Sequence, residues 1–314
     1  MNIVQQIIKA QEWIPDVTGN VIASTALKML ANKVISKKYL SELKLNAQKY
    51  DVTYLDMLAY NLSYELPMLA LMYDKVPTMM EAVKILGRAS KDATPCGCTT
   101  VGVHKDGKTV MWRNLDWDDP GGLFTNNSIL RDTPTAVDAT FPGAVGMLTA
   151  CRKGEYSVAI NAVLTEGGSD AIVGTPPTLL LREVIDTCAT YDIAVELLCK
   201  RELLCPVMFT IVAADGRMQV IERTTSSYGV RGPEKLEAGG VGIIATNNTR
   251  VLKNEGNLGE LSETSDKRYE QVMDGINSPT ALENVMLDAQ FGCTIHTVEV
   301  DFAAETLVSL YYEQ

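Results

Sequence analysis

Through residues 1–66 the apolar positions fall three and four apart. Ile22 to Val34, Tyr39 to Leu45 and Asp56 to Leu66 each carry an apolar stripe, which predicts an N-terminal helical layer. Pro67 is expected to stop the last of these helices. Beyond it Met68 to Tyr73 is apolar, Pro77 intervenes, and Met79 to Leu86 is again amphipathic before Gly87. The period then changes to two. Thr99, Val101 and Val103 alternate, Asp106-Gly107 supplies a turn that tolerates positive φ, and Val110 and Trp112 resume the alternation, so Cys96 to Trp117 reads as a β-hairpin. Asp118 to Pro142, rich in Gly, Pro, Asn and Asp, reads as a long surface loop.

Ala144 to Cys151 and Tyr156 to Val163 flank Lys153-Gly154 as a second hairpin. Thr178 to Leu204 has helical spacing through Leu180, Leu181, Val184, Ile185, Val195 and Leu198, as one helix or a pair. A third hairpin runs from Met208 to Ala213 and back from Met218 to Arg223 around Asp215-Gly216. Gly239 to Thr246 is an apolar strand that delivers Asn247 at its end. A polar linker, Lys253 to Thr264, precedes helices around Ser265 to Ile276 and from Ser278-Pro279 through Leu287. Thr294 to Val300 and Thr306 to Tyr311 close the chain as a last hairpin. Strands that pair as successive hairpins, with helices in separate blocks, predict an α+β protein. Two stacked antiparallel sheets of roughly eight to ten strands would lie between helical layers, an αββα sandwich.

Composition narrows the function classes. A formal net charge of −11, with no Lys/Arg block longer than a pair, disfavours nucleic acid and anionic membrane surfaces as partners. The N-terminus has neither a basic n-region nor an apolar h-region, and no apolar run approaches the roughly 18 residues of a membrane span. A cytoplasmic chain is expected, with a signal already removed as the open alternative. Seven cysteines, an odd number scattered along a long chain, are expected to be reduced.

The hairpin carries the candidate chemistry. Antiparallel pairing about Asp106 brings Cys98 beside Arg113 to Asp116, a thiol next to a cation and a carboxylate. The two histidines do not serve it: His104 sits at the hairpin turn and His296 within the last strand pattern, so a Cys-His or Ser-His-Asp mechanism has little support. Cys96-Gly97-Cys98 lacks a second pair of zinc ligands, and Gly239 to Gly242 fits no phosphate loop, so neither metal nor cofactor is expected. A nucleophile that carries its own base remains. If the Gly97–Cys98 bond were cut, Cys98 would gain an α-amine with a reference pKa of roughly 7.7–8.0, able to take the thiol proton at neutral pH. Cys96 competes for this role, and Cys98 is preferred because Thr-Thr-Val follows it directly. Met68, Met72, Met79 and Met80 offer an adaptable apolar surface for a lid or an acyl chain, core packing being the commoner use of such residues.

Cys98-Thr99-Thr100-Val101 followed by Arg113-Asn114-Leu115-Asp116-Trp117 resembles the signature of the acid ceramidase and N-acylethanolamine acid amidase branch of the N-terminal-nucleophile hydrolases. Penicillin V acylase and bile salt hydrolase belong to the same group. Asn61-Leu62-Ser63-Tyr64-Glu65 is similar to the Asn-x-x-Tyr-Glu segment of that branch, Thr246-Asn247-Asn248 to its Thr-Asn-Tyr, and Ser265-Asp266-Lys267-Arg268 to its Asp-Asp-Arg-Arg. The resemblance implies a precursor that cuts itself between Gly97 and Cys98. Residues 1–97 would be the N-terminal segment and 98–314 the catalytic αββα domain. It further implies Cys98 as nucleophile with its freed amine as base, and Asp116 orienting that amine. Arg113 would hold the thiolate and the substrate's polar head, Asn247 would donate to the oxyanion, and Arg268 would support the cluster electrostatically. Asn161 is a looser candidate for an oxyanion or substrate contact.

The implied partner is a small linear amide with an apolar acyl group, such as a ceramide or N-acylethanolamine, with transient lipid contact. A bulkier substrate of the penicillin V acylase or bile salt hydrolase kind, or an uncleaved relative acting as a binding protein, are the alternatives. Two features depart from the branch: residues 67–97 intervene between Tyr-Glu and the nucleophile, and Asn248 replaces its tyrosine.

Overall fold

The computed structural model describes residues 1–72, 86, 97–117, 119–165, 174–253, 260–278, 280–290, 293–303 and 307–311. Six described helices precede the first strand: α1 (Ile3–Ala10), α2 (Trp13–Gly19), α3 (Val21–Val34), α4 (Lys37–Lys49), α5 (Tyr54–Asn61) and α6 (Glu65–Met72). The side chains of Asn2, Asn20, Ser36 and Thr53 accept from first-turn backbone N–H groups of α1, α3, α4 and α5, which sets where each begins.

The strands follow as β1 (Cys98–Lys105), β2 (Lys108–Asp116), β3 (Ile129–Asp132), β4 (Ala136–Thr140), β5 (Thr149–Arg152), β6 (Tyr156–Asn161), β7 (Val207–Ala213), β8 (Met218–Arg223), β9 (Tyr228–Arg231), β10 (Glu234–Lys235), β11 (Val241–Ala245), β12 (Thr294–Asp301) and β13 (Leu307–Tyr311). They form two antiparallel sheets, ordered β10-β11-β1-β2-β12-β13 and β3-β4-β5-β6-β7-β8-β9. Four more α-helices, α7 (Pro177–Thr187), α8 (Tyr191–Lys200), α9 (Glu260–Ile276) and α10 (Leu282–Asp288), lie between and beside the later strands, and two single-turn 3-10 helices, Pro120–Gly122 and Thr125–Asn127, precede β3.

The layers follow from which face each strand buries. Met111, Ile243 and Val298 of the first sheet meet Val137, Ala159, Met208 and Val212 of the second in an apolar core between the sheets. Val101, Trp112 and Ile244, pointing the other way, pack on Tyr269, Val272 and Met286 of α9 and α10. The far face of the second sheet, through Tyr156, Val158, Ile160 and Phe209, is covered by α7, α8 and the N-terminal helices. The α+β sandwich expected from the hairpin pattern is the observed fold.

Several local expectations are corrected. Pro67 does not stop a helix: α5 ends at Asn61, and Pro67 lies in the first turn of α6, where its missing N–H is not needed. The stretch 118–142 is not all loop, since it holds β3 and β4. The β3 strand lies at the sheet edge and is largely exposed, and Asp138 of β4 is neutralised by the Arg131 guanidinium at 2.9 Å through both oxygens, so neither strand shows an apolar alternation. The long helical stretch is a pair, α7 and α8. The described strands number thirteen, β9 and the two-residue β10 being too short and polar to signal themselves. Met68 and Met72 are core residues of the N-terminal layer. Met79, Met80 and Cys96, and with them most of the intervening stretch 67–97, lie outside the described residues. Among the described residues no helix is long and apolar enough to cross a membrane.

Candidate active site

The hairpin turn is built as its sequence demands. Asp106 and Gly107 both have positive φ, 51° and 74°, the two-residue turn that matches strand twist. With that turn fixed, the register follows: Cys98 pairs with Leu115, Thr100 with Arg113 and Lys105 with Lys108. The β11 strand pairs on the other side with Thr100 opposite Ala245, which carries Asn247 to a place opposite Cys98. Cys98 therefore sits at the first residue of a central strand, between the ends of its two neighbours.

Every polar atom of Cys98 has a side-chain partner. Its thiol accepts from Arg113 Nη2 at 3.2 Å, its backbone N–H donates to Asn247 Oδ1 at 3.1 Å, and its carbonyl accepts from Arg268 Nη1 at 2.6 Å. Arg268, on α9, also donates to Thr99 Oγ1 at 3.0 Å and to Asn247 Oδ1 at 2.6 Å. Arg113 reaches from the inner face, where the same Nη2 donates to Ile160 O of β6 at 3.0 Å. Asp116 stands on the opposite face of β2. Its Oδ1 accepts from Thr294 at 2.6 Å, while Oδ2 is buried without a hydrogen-bond partner among the described residues.

Gly97 fills the remaining corner. A Cβ there would lie 2.9 Å from Arg268 Nη2 and 3.2 Å from Asp116 Oδ2, so the backbone before Cys98 runs directly against these two charged groups. All five residues named from the resemblance, Cys98, Arg113, Asp116, Asn247 and Arg268, are brought together. Asn161 is one step removed: its Oδ1 accepts from Thr100 at 2.8 Å and its Nδ2 donates to Ala245 O at 3.1 Å, so its amide is committed to joining the two sheets.

Burial dominates the electrostatics. It pushes the Cys98 thiol above its ordinary value, outweighing Arg113, which pulls the other way. It also raises Asp116, although the Thr294 hydroxyl, Arg268 and Arg113 each favour the carboxylate. Arg268 is lowered by the same cause. The cluster thus holds the thiol in its protonated form. His296 takes no part in it; burial first and Arg113 second hold its imidazole down to about 3, and Ser128 Oγ meets its Nδ1 at 2.7 Å.

Three supporting residues escaped the sequence reading. Ser265 Oγ accepts from Asn247 N–H at 2.8 Å, Thr294 fixes Asp116, and Ala162 O accepts from Asn247 Nδ2 at 2.8 Å. A β-bulge between Thr294 and His296 lets β12 turn Thr294 toward Asp116 while keeping His296 on the inner face, and no sequence period announces it. Ser265 alone had a signal, since it opens the Ser265 to Arg268 motif. Among the described residues no group of three or more His, Cys, Asp and Glu could hold a metal.

Residues 158–314, half of the chain, match the family described as acyl-coenzyme A:6-aminopenicillanic acid acyl-transferase. The chain belongs to that family. The family match takes in Asn161, Asn247 and Arg268, and begins after Cys98, Arg113 and Asp116. An N-acylethanolamine-hydrolyzing acid amidase of Caenorhabditis elegans is 31% identical over 166 residues, covering 48% of this chain and 46% of that protein. The solved structure of a Caenorhabditis elegans N-acylethanolamine-hydrolyzing acid amidase ortholog superposes with a TM-score of 0.53 at 20% identity, covering 68% of this chain and all of that one, which shows a shared fold. A mutant conjugated bile acid hydrolase from Clostridium perfringens gives a TM-score of 0.43 at 12% identity over 69% of this chain and 97% of that one. The family match and the shared fold agree with the N-terminal-nucleophile resemblance read from the sequence motifs.

Proposed function

We propose that this chain is the precursor of a cysteine N-terminal-nucleophile amidohydrolase, cut between Gly97 and Cys98 into segments 1–97 and 98–314, and that it hydrolyses linear amides with an apolar acyl group. The observation that carries the reading is the convergence on Cys98. Thiol, backbone N–H and carbonyl of one residue are each held by a side chain from a different element, Arg113, Asn247 and Arg268.

In this reading the chemistry needs no histidine. Cutting before Cys98 frees an α-amine beside Asp116 Oδ2, which is otherwise without a hydrogen-bond partner among the described residues and would accept from the ammonium form. The amine takes the thiol proton, and the thiolate attacks the amide carbonyl while Arg113 stabilises the sulfur. The tetrahedral intermediate collapses as the ammonium returns its proton to the leaving amine, giving a thioester on Cys98. Water, deprotonated by the same α-amine, then releases the acid and restores the thiol. Asn247 Nδ2 gives one N–H to Ala162 O and keeps a second to donate to the oxyanion.

N-acyl lipids are the proposed substrate class, on the strength of the amidase relative, which is named for hydrolysing N-acylethanolamines. A panel of linear N-acyl amides, N-acylethanolamines included, tests this with wild type and Cys98→Ala. Release of free acid by the wild type alone is expected. No release from any amide by a chain cut before Cys98 would contradict the reading.

A further inference from the structure

An apolar cavity of about 60 Å³ adjoins the cluster, walled by Tyr64, Leu115, Trp117, Phe124, Phe141 and Ile295. Leu115 is the cross-strand partner of Cys98, so the cavity lies on the face of the sheet that carries the thiol. Three of the polar side chains around it are spent inside the protein. Tyr60 Oη donates to Pro142 O at 3.0 Å, Asn61 bonds Gly143 O and Val145 N–H at 3.2 and 2.6 Å, and Thr178 Oγ1 donates to Glu65 Oε1 at 2.8 Å.

Tyr64 is not. It is 3% exposed, its ring lies 6.1 Å from that of Trp117, and its hydroxyl has no hydrogen-bond partner among the described residues. Such a buried hydroxyl is costly unless something meets it, and in a cavity wall water or a ligand supplies the partner. Burial pushes its phenol well above the ordinary value, with Cys205, Cys98 and Glu65 adding to the rise and Arg113 opposing it, so it stays protonated and within the field of the nucleophile. It is a protonated donor in the wall of the cavity that adjoins the Cys98 face of the sheet.

We propose that the Tyr64 hydroxyl is a substrate contact: it donates to the carbonyl oxygen of the amide whose acyl group enters this cavity, and so holds the acyl carbon over the Cys98 sulfur. The assignment rests on the amidohydrolase reading and adds to it a donor that is unengaged among the described residues, beside the second N–H that Asn247 Nδ2 keeps after bonding Ala162 O.

Tyr64→Phe tests it on the full-length protein, with the same panel of linear N-acyl amides. The variant is expected to be cut into the same two fragments as wild type and to unfold at the same temperature or higher, since its hydroxyl has no partner to lose among the described residues. Its kcat/KM on the amides is expected to fall ten- to a hundredfold. An unchanged kcat/KM would overturn the assignment while leaving the amidohydrolase reading intact. A variant that stays uncut, or unfolds several degrees lower, would give the hydroxyl a role in maturation or folding and overturn it too. A wild type that is cut but hydrolyses no amide would bring down both.

Discussion

At the scale of single residues, the cluster depends on small fits as much as on charges. Gly97 has no room for a side chain because Arg268 and Asp116 occupy the place of its Cβ, and both are held by hydrogen bonds to Cys98, Thr99, Asn247 and Thr294. Gly97→Ala would displace the peptide to be cut from these groups, and self-cleavage is expected to slow by on the order of tenfold or more, followed as loss of the intact chain with time. Cleavage at the wild-type rate would show that the fit is unimportant. Thr294→Val removes the hydroxyl bond that lowers Asp116, so the Asp116 pKa should rise further, and the acidic limb of the activity profile should move to higher pH. An unmoved acidic limb would separate Asp116 from the reaction. Asn247→Ala is expected to lower kcat about 10²- to 10³-fold if the amide serves the oxyanion.

At the scale of elements, the turn between α5 and α6 joins the cavity to the helical layer. Glu65, the first residue of α6, is fully buried and accepts from the backbone N–H and hydroxyl of Thr178 in the first turn of α7, at 3.1 and 2.8 Å. Burial raises its carboxyl from 4.5 to about 7, the Thr178 bonds opposing the rise. The folded chain therefore binds the proton more tightly than the unfolded one. The stability this confers is complete below about pH 4.5 and is lost as pH rises through about 7, on the order of 3 kcal/mol in all. Glu65→Gln keeps an acceptor for Thr178 and removes the titration, so its unfolding temperature should fall less than that of wild type between pH 5 and pH 8. Parallel curves would contradict the raised pKa.

Elements also mark what a sequence can and cannot disclose. The Cys98 hairpin was legible because Asp106-Gly107 dictates a turn, a turn dictates register, and register places Arg113 and Asp116 beside the thiol. Asn247 and Arg268 arrive from β11 and α9, and motif resemblance alone linked them to Cys98; their convergence is a tertiary fact. The β3 and β4 strands were hidden because an exposed edge and an Arg131–Asp138 pair replace the usual apolar pattern. Pro67 misled because the same residue that ends a helix interior is welcome in its first turn. Tyr64 and Glu65 were visible as a motif, while their burial, which gives them meaning, was not.

At the scale of the whole molecule, the site lies where two sheets and a helical layer meet. Arg113 crosses to Ile160 O, Asn247 to Ala162 O, and Asn161 back to Thr100 and Ala245, so strand β6 and the residue after it clamp the first sheet at the level of Cys98. Asn161→Ala removes two of these buried bonds and should lower the free energy of unfolding by about 2–4 kcal/mol in urea titration. A loss below about 1 kcal/mol would mean that the Asn161 bonds add little to the apolar core and the other cross-sheet bonds.

The central claim is that Cys98 becomes an N-terminal nucleophile, and intact-protein mass spectrometry over a range of pH tests it most directly. Freshly purified wild type should separate into a fragment ending at Gly97 and one beginning at Cys98, and Cys98→Ala should stay whole. A wild-type chain that remains intact at every pH, or that is cut at a different bond, would contradict the account.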